Sequence, residues 1–242
     1  MCRITAITSG KGGTGKTMFA VNLASCLAMS GSKVLLIDMN SGFRNIDICL
    51  GLENQIVYDI ADVVNGICTI KKALIRDRRF SALYLLSASQ IPEKAQIRPA
   101  HMKKLCEKLG EKFDHIIIDT PHGIGEDWKT SVAPADHAVI IMTQEYVSLR
   151  DTDSVSRCLT SSGIRSISAV INRVRPDCGG GNSVFPSMSE IAESLRFPVC
   201  GIIQEDENIH VSMNSGVPVV CKKDSYIAKN FVNIIQRISE LY

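Results

Sequence analysis

The sequence predicts an α/β fold, a mainly parallel β-sheet with helices on both faces. Three observations carry that prediction. The runs Lys33–Asp38, Phe113–Asp119 and His137–Thr143 are largely continuous in apolar residues rather than alternating, as strands buried on both faces of a parallel sheet should be. Between such runs lie stretches with apolar residues at helical spacing. The first strand, residues 3–8, runs into a glycine-rich turn that opens a helix over residues 16–30. There Phe19, Leu23 and Leu27 share one side, and Gly31 suits the helix end. Strand, helix and strand in this order set the class.

The remaining elements follow in order. Residues 39–55 read as a polar, glycine-bearing loop, 56–75 as a helix, 83–86 as a short strand and 88–92 as a loop. Residues 101–112 read as a helix with Leu105 and Leu109 inward, and 113–119 as a strand ending in an acid. The segment 120–125, with a proline and two glycines, reads as a loop. A strand over 137–143, a helix over 149–161 and a strand over 167–172 come next, then a glycine-rich loop over 176–186. Ser187 with Glu190 three residues on forms a capping box for a helix over 188–195. A strand over 199–203 and a closing helix over 227–242 complete the chain. There is no repeat, linker or low-complexity tract, so residues 1–242 read as a single domain with six or more strands.

Composition narrows the function classes. The chain has 242 residues, 45% hydrophobic and 21% charged, enough for a full core. A net charge of +2 gives no argument for nucleic acid or an anionic membrane. The basic stretch from Lys71 to Arg79 reads as a solvated helix end and loop. Nine cysteines include no C-x-x-C, which excludes the common zinc, iron–sulfur and dithiol patterns. They read as buried reduced thiols of a cytosolic protein.

The candidate site begins in the first turn. Gly10 to Thr17 fits G-x-x-x-x-G-K-[ST] on a strand–turn–helix. Gly10, Lys11, Gly12, Gly13, Thr14, Gly15, Lys16, Thr17 and Met18 would cradle phosphates with backbone N–H groups and the positive end of a helix. Lys16 reaches the β- and γ-phosphates, and the Thr17 hydroxyl suits Mg²⁺. A rival uses the same residues. Gly10, Gly12 and Gly15 spell G-x-G-x-x-G, and Asp38 ends the next strand where a ribose-binding acid would stand, which would make a dinucleotide oxidoreductase. Lys16-Thr17 directly after Gly15, a second lysine at position 11 and a later strand ending in Asp119 favour a nucleoside triphosphate.

Ligands of open α/β sheets gather at the carboxyl ends of strands. Those ends carry Asp38, Asp119, Asn172-Arg173 and Gln204-Glu205-Asp206. Two acids beside a triphosphate call for a divalent cation, so Mg²⁺ is assigned to Thr17 directly, with Asp38 and Asp119 through water.

The loop Lys11–Thr17 resembles the deviant Walker A motif of the MinD/ParA ATPases, P-loop NTPases with an extra lysine where Lys11 stands. Further similar segments are Ile37–Asp47, Val57-Tyr58-Asp59, Leu86–Gln90, Asp119–Ile124, Glu145 with Arg150-Asp151 and Asp153, and Glu205-Asp206 with Gly216–Val219. The resemblance covers the chain nearly end to end. Phe43-Arg44-Asn45-Ile46-Asp47 and Ala88-Ser89-Gln90 point to the MinD branch, whose members place the division septum. It implies an ATPase cycling between ATP and ADP with Mg²⁺, and a homodimer closed around two ATP molecules. Lys11 would reach the partner's phosphates, with Lys16, Asp38, Asp119 and the residue at position 40 as the other catalytic groups. Asn172 and Arg173 match the adenine-contacting position, and Gln204, Glu205 and Asp206 would close over the base. It also implies partners of MinC and MinE type and a peripheral place on the inner face of the cell membrane.

Three departures qualify these expectations. The family's second switch aspartate is Asn40 here, which keeps the shape but is a poor proton acceptor, so slow hydrolysis with intact binding is expected. Gln144 and Gln204 replace the usual prolines. The closing helix sets Phe231, Ile234, Ile235, Ile238 and Leu241 on one side, a face suited to the sheet more than to lipid, and no amphipathic tail follows it. A partition or flagellar-number ATPase of ParA type and a nucleotide-sensing scaffold with little turnover stand as alternatives. His122 reads as a solvent-facing loop residue ahead of a nucleotide sensor near the γ-phosphate, and Trp128 as either a partner contact or a core residue.

Overall fold

In a parallel sheet every strand is covered twice, so side chains must divide between two helical layers with a period of two. A computed structural model of the chain, describing residues 2–91, 96–175, 184–222 and 224–241, shows this division. The elements run β1 (Arg3–Thr8), α1 (Lys16–Met29), β2 (Val34–Asp38), α2 (Ile46–Cys49), α3 (Ile60–Val64), α4 (Ile70–Ala73), β3 (Ile75–Arg76), β4 (Leu83–Leu86), α5 (Pro99–Gly110), β5 (His115–Asp119), α6 (Glu126–Val132), β6 (His137–Thr143), α7 (Tyr146–Ser161), β7 (Ser166–Val174), α8 (Met188–Ser194), β8 (Val199–Gln204), α9 (Glu207–Asn214) and α10 (Tyr226–Ser239).

The eight strands form one sheet in the order β3-β4-β2-β5-β1-β6-β7-β8. All pairings are parallel except β3 with β4. Within β2, Val34 and Leu36 join the layer of α1 and α10, while Leu35 and Ile37 join that of α5. Strand β1 lies centrally, between β5 and β6, so its carboxyl end opens where neighbouring connections diverge. On one face Phe231, Ile234, Ile235 and Ile238 of α10 pack with Phe19 and Leu23 of α1, as expected of the closing helix. On the other, α6 and α7 cover β1 and β6 through Trp128, Val132, Val155 and Leu159.

Several expected boundaries change, each for a local reason. The helix over 56–75 is two short helices and an edge strand, because Gly66 takes a left-handed φ of 72° just past the end of α3. The loop over 39–55 contains α2 and a 3-10 turn. Helices α6 and α9 follow loops whose glycine and acidic composition masked them. The Ser187–Glu190 capping box forms as expected, with both reciprocal bonds present. Most of the glycine-rich loop (176–183), Pro92 and Tyr242 lie outside the described residues. The basic stretch is mostly exposed as expected, but Arg79 is also anchored: it donates to the Leu50 and Gly216 carbonyls at 2.6 Å each and pairs with buried Asp77 at 2.8 Å. Among the described residues eight cysteines are free thiols, of which only Cys49, Cys106 and Cys200 are buried and the other five half-buried, and no helix is long and apolar enough to cross a membrane.

Buried His137 begins β6 with Nδ1 2.6 Å from Ser166 Oγ and Nε2 3.0 Å from Ser168 Oγ. Burial pushes its pKa down to about 4. The unfolded chain takes up this proton near pH 6.5, so between that value and about 4 it binds more protons than the native state. Stability should therefore fall as pH drops through that window, by roughly 3 kcal/mol in total. Thermal melts from pH 7 to 4 check this: His137→Asn should flatten that part of the curve.

Candidate functional site

The site is assembled from chain segments that the sheet brings together at its carboxyl edge. β1 delivers the glycine loop, β2 ends at Asp38, and β5 ends at Asp119, directly opposite Asp38 in register. Both acids are fully buried. Thr17 Oγ1, in the first turn of α1, donates to Asp119 Oδ2 at 2.6 Å. Asn40 Nδ2 bridges the pair, 3.1 Å from Asp38 Oδ1 and 3.0 Å from Asp119 Oδ2. The backbone N–H groups of Asn40 and Asn45 complete the shell of Asp38. Thr17, Asp38, Asn40 and Asp119 are thus one cluster.

Burial raises the pKa of both carboxyls above the ordinary range. The negative charge of Asp38 pushes Asp119 further in that direction, while bonds from Asn40 oppose the rise at Asp38. Burial lowers Lys16, against the attraction of Asp119. Without a ligand, this cluster is short of positive charge. Asp119 Oδ1 and Thr14 Oγ1 are buried with no hydrogen-bond partner. Among the described residues, no group of three or more His, Cys, Asp or Glu could hold a metal ion. These donors fit Mg²⁺ bound by few protein oxygens together with phosphates and water, the usual manner for that ion.

The loop is built around close approach. Gly15 has φ 99°, and a Cβ there would lie 2.2 Å from Asn172 Nδ2. That amide donates to the Thr14 carbonyl at 2.7 Å, which braces the loop against β7. A Cβ on Gly10 would meet Asp151 Cβ at 2.4 Å, so α7 packs on the loop's other side. Lys16 Nζ donates to the buried Ser9 Oγ at 2.8 Å, which directs the ammonium along the loop. Gly12 and Gly13 are exposed, with the His122 ring 3.8 Å from where a Gly12 Cβ would stand.

Two flanking clefts extend the loop. One, about 120 Å³, is lined by Gly15, Met18, Asn172, Arg173, Gln204, Glu205, Asp206 and the apolar Ile209 and Met213. It brings together every residue expected to contact a base, beside side chains that suit a ring. Arg173 holds φ 57°, the one left-handed non-glycine among the described residues. The other, about 260 Å³, lies over Lys11, Gly12 and Gly13. There Lys11 is ion-paired with Glu145 at the start of α7, which also accepts from Thr143 Oγ1 at 3.2 Å. This pairing holds the Glu145 carboxyl below its usual range. Arg175 pairs with Glu205 at 2.7 Å along the same wall.

Sequence reasoning did not assign roles to Ser9, Glu145, Asp151 or Arg175. Ser9 adjoins the motif and could have been tested as a lysine anchor; the others meet the loop only through the fold. Gln144, where proline is usual, is buried and donates to the Pro186 carbonyl at 3.0 Å, which ties down the start of α7. Trp128 is a core residue whose Nε1 donates to Thr8 Oγ1 at 2.7 Å, just before the loop.

Comparison with known proteins agrees with this geometry. The family described as an AAA domain matches residues 2–162. A septum site-determining protein MinD from Synechocystis is 44% identical over 239 residues, spanning 98% of this chain and 90% of that protein. Among solved structures, a MinC:MinD cell division protein complex from Aquifex aeolicus aligns with TM-score 0.87 at 35% identity, over 99% of this chain and 96% of that one. The septum site-determining protein MinD from Pyrococcus horikoshii, complexed with Mg-ADP, aligns with TM-score 0.89 at 28% identity, over 100% and 97%.

The loop geometry makes a specific demand on Gly15. Gly15→Ala combines left-handed strain with a clash on Asn172, and should lower stability by roughly 1–3 kcal/mol and weaken nucleotide binding at least about tenfold. In Gly12→Ala the new Cβ makes only ordinary contact with His122, so stability should stay within about 0.5 kcal/mol of the parent. Urea unfolding and titration with a fluorescent ATP analogue check both.

Proposed function

Because this chain belongs to the MinD branch of the MinD/ParA family of P-loop ATPases, we propose that it is an ATP-hydrolysing dimerisation switch that acts in placing the division site. One juxtaposition carries this reading: Lys16, Thr17, Asp38 and Asp119, distant in sequence, meet at one sheet edge beside the glycine loop. Relatives solved with Mg-ADP and with MinC support the nucleotide and the kind of partner. A dinucleotide reading of the same glycines does not fit that membership.

The proposed roles follow the chemistry of each group. Backbone N–H groups from Gly10 to Met18 bind the phosphates, and Lys16 pairs with the β- and γ-phosphates. Thr17 would hold Mg²⁺ directly, with Asp38 and Asp119 holding it through water. When bound, the ion would neutralise phosphate charge and favour the carboxylate form of both acids. Asn172, Arg173, Gln204, Glu205 and Asp206 surround the base. Lys11 acts across the dimer, where its ammonium stabilises charge on the partner's transferring phosphoryl group. Its ion pair with Glu145 within one chain is the resting arrangement, and dimer closure exchanges that carboxylate for the partner's phosphates. The whole of residues 1–242 works as one domain in this reading. Partners of MinC and MinE type bind the dimer, which forms in the cytoplasm.

Asn40 sets the rate. Its amide cross-links the two acids and supplies no proton acceptor, so turnover is slow while binding is intact. Asn40→Asp should raise steady-state ATPase several-fold. It should also lower the melting temperature without nucleotide, since a third carboxylate joins two buried ones. Equal rates in the two proteins would remove this role for Asn40.

The switch itself is tested by light scattering after size exclusion, with ADP and with ATP plus Mg²⁺. Mass should double with ATP and stay monomeric with ADP. Lys11→Ala should bind nucleotide yet remain monomeric with ATP. A parent protein monomeric under both conditions overturns the switch reading.

A further inference from the structure

Away from the nucleotide edge, α5 and the α3–α4 hairpin leave a groove of about 730 Å³ between them. Its floor is apolar: Val63, Ile70 and Leu105 are only half-buried there, although each packs against the core below. Its rim is basic. Lys104, Lys108 and Lys112 line one wall, all exposed. Lys104 and Lys108 stand four residues apart on α5, so their side chains lie one above the other about 6 Å apart, and Lys112 follows in the turn just past the helix end. None of the three has a hydrogen-bond or ion-pair partner among the described residues. Among the described residues Glu111 is the one acid lining the groove.

We propose that this groove docks an acidic, amphipathic helical segment of a protein partner. Apolar side chains spaced by three and four would enter between Leu105 and Val63, and acids flanking that stripe would meet the three lysines. The depth of the apolar floor favours such a segment over a bilayer. Lipid binding by a surface helix needs apolar side chains that protrude beyond the cationic ones. Here the lysines stand outermost and the floor is recessed. None of these residues belongs to the nucleotide site, so the two surfaces can be occupied together.

The test uses the full chain and a synthetic helical peptide of about four turns, with a leucine stripe flanked by glutamates and a photo-crosslinking group on the stripe. Binding followed by fluorescence anisotropy should be saturable and should weaken at least about tenfold in the Lys104→Glu/Lys108→Glu/Lys112→Glu protein. Crosslinks should map to residues 63–70 and 104–112. The triple variant, changed only at exposed positions, should keep the parent's unfolding midpoint and ATPase rate. A scrambled peptide of equal charge but no stripe should bind at least about tenfold more weakly. Equal binding of the scrambled peptide, unchanged binding by the triple variant, or crosslinks elsewhere would overturn the proposal. So would absence of peptide binding together with lysine-dependent capture by phosphatidylglycerol vesicles, which would make the groove a membrane surface.

Discussion

Two aspartates held in register at the ends of adjacent buried strands set the terms for the rest of the molecule. Asp38 and Asp119 lie opposite one another with no solvent to screen them. Such a pair is tolerable only if neighbouring groups donate to it or neutralise it. Thr17, Asn40 and the N–H groups of the following loop do the first, and Lys16 contributes to the second. The remaining deficit of positive charge is what would draw a cation to these acids. Binding and stability therefore draw on the same groups, and the ligand completes a cluster that the fold leaves short.

The loop above this pair is shaped by contact as much as by glycine flexibility. Asn172 from β7 and Asp151 from α7 approach so closely that only hydrogen fits at Gly15 and Gly10. The strands and helices on either side thus act as a mould. Asn172 belongs to the same mould: one amide N–H braces the Thr14 carbonyl, and the residue also lines the cleft suited to the base. The Lys11–Glu145 pair crosses from the loop to the start of α7, so any rearrangement that releases Lys11 also acts on that helix. A nucleotide-dependent surface can arise there with no further moving part.

The opposite behaviour is seen at the α5 groove. Among the described residues its three lysines have no ion-pair partner, whereas Lys16, Thr17 and Asn172 at the nucleotide edge each donate to a group of the chain itself. Separation of a nucleotide-controlled face from a fixed docking face would let one protein carry a partner through both states of its cycle.

Much of the fold was legible because burial on both faces leaves continuous apolar runs, which one strand after another displays. The glycine loop, Lys16, Thr17, Asp38 and Asp119 were legible too, since phosphate and cation chemistry restrict residue type and spacing. The stretch from residue 56 to 75 was misread because its apolar spacing persists through Gly66, and periodicity does not register a single left-handed residue. Helix α9 was missed because packing against α2, more than local propensity, sustains it. Sequence alone determined the class and singled out the glycine loop and the two acids. Only the tertiary structure decided that Asn40 bridges those acids, that Glu145 holds Lys11, and that Asn172 and Asp151 fix Gly15 and Gly10. Each of those contacts joins residues on separate segments, and their proximity is set by strand order and register, which no local pattern encodes.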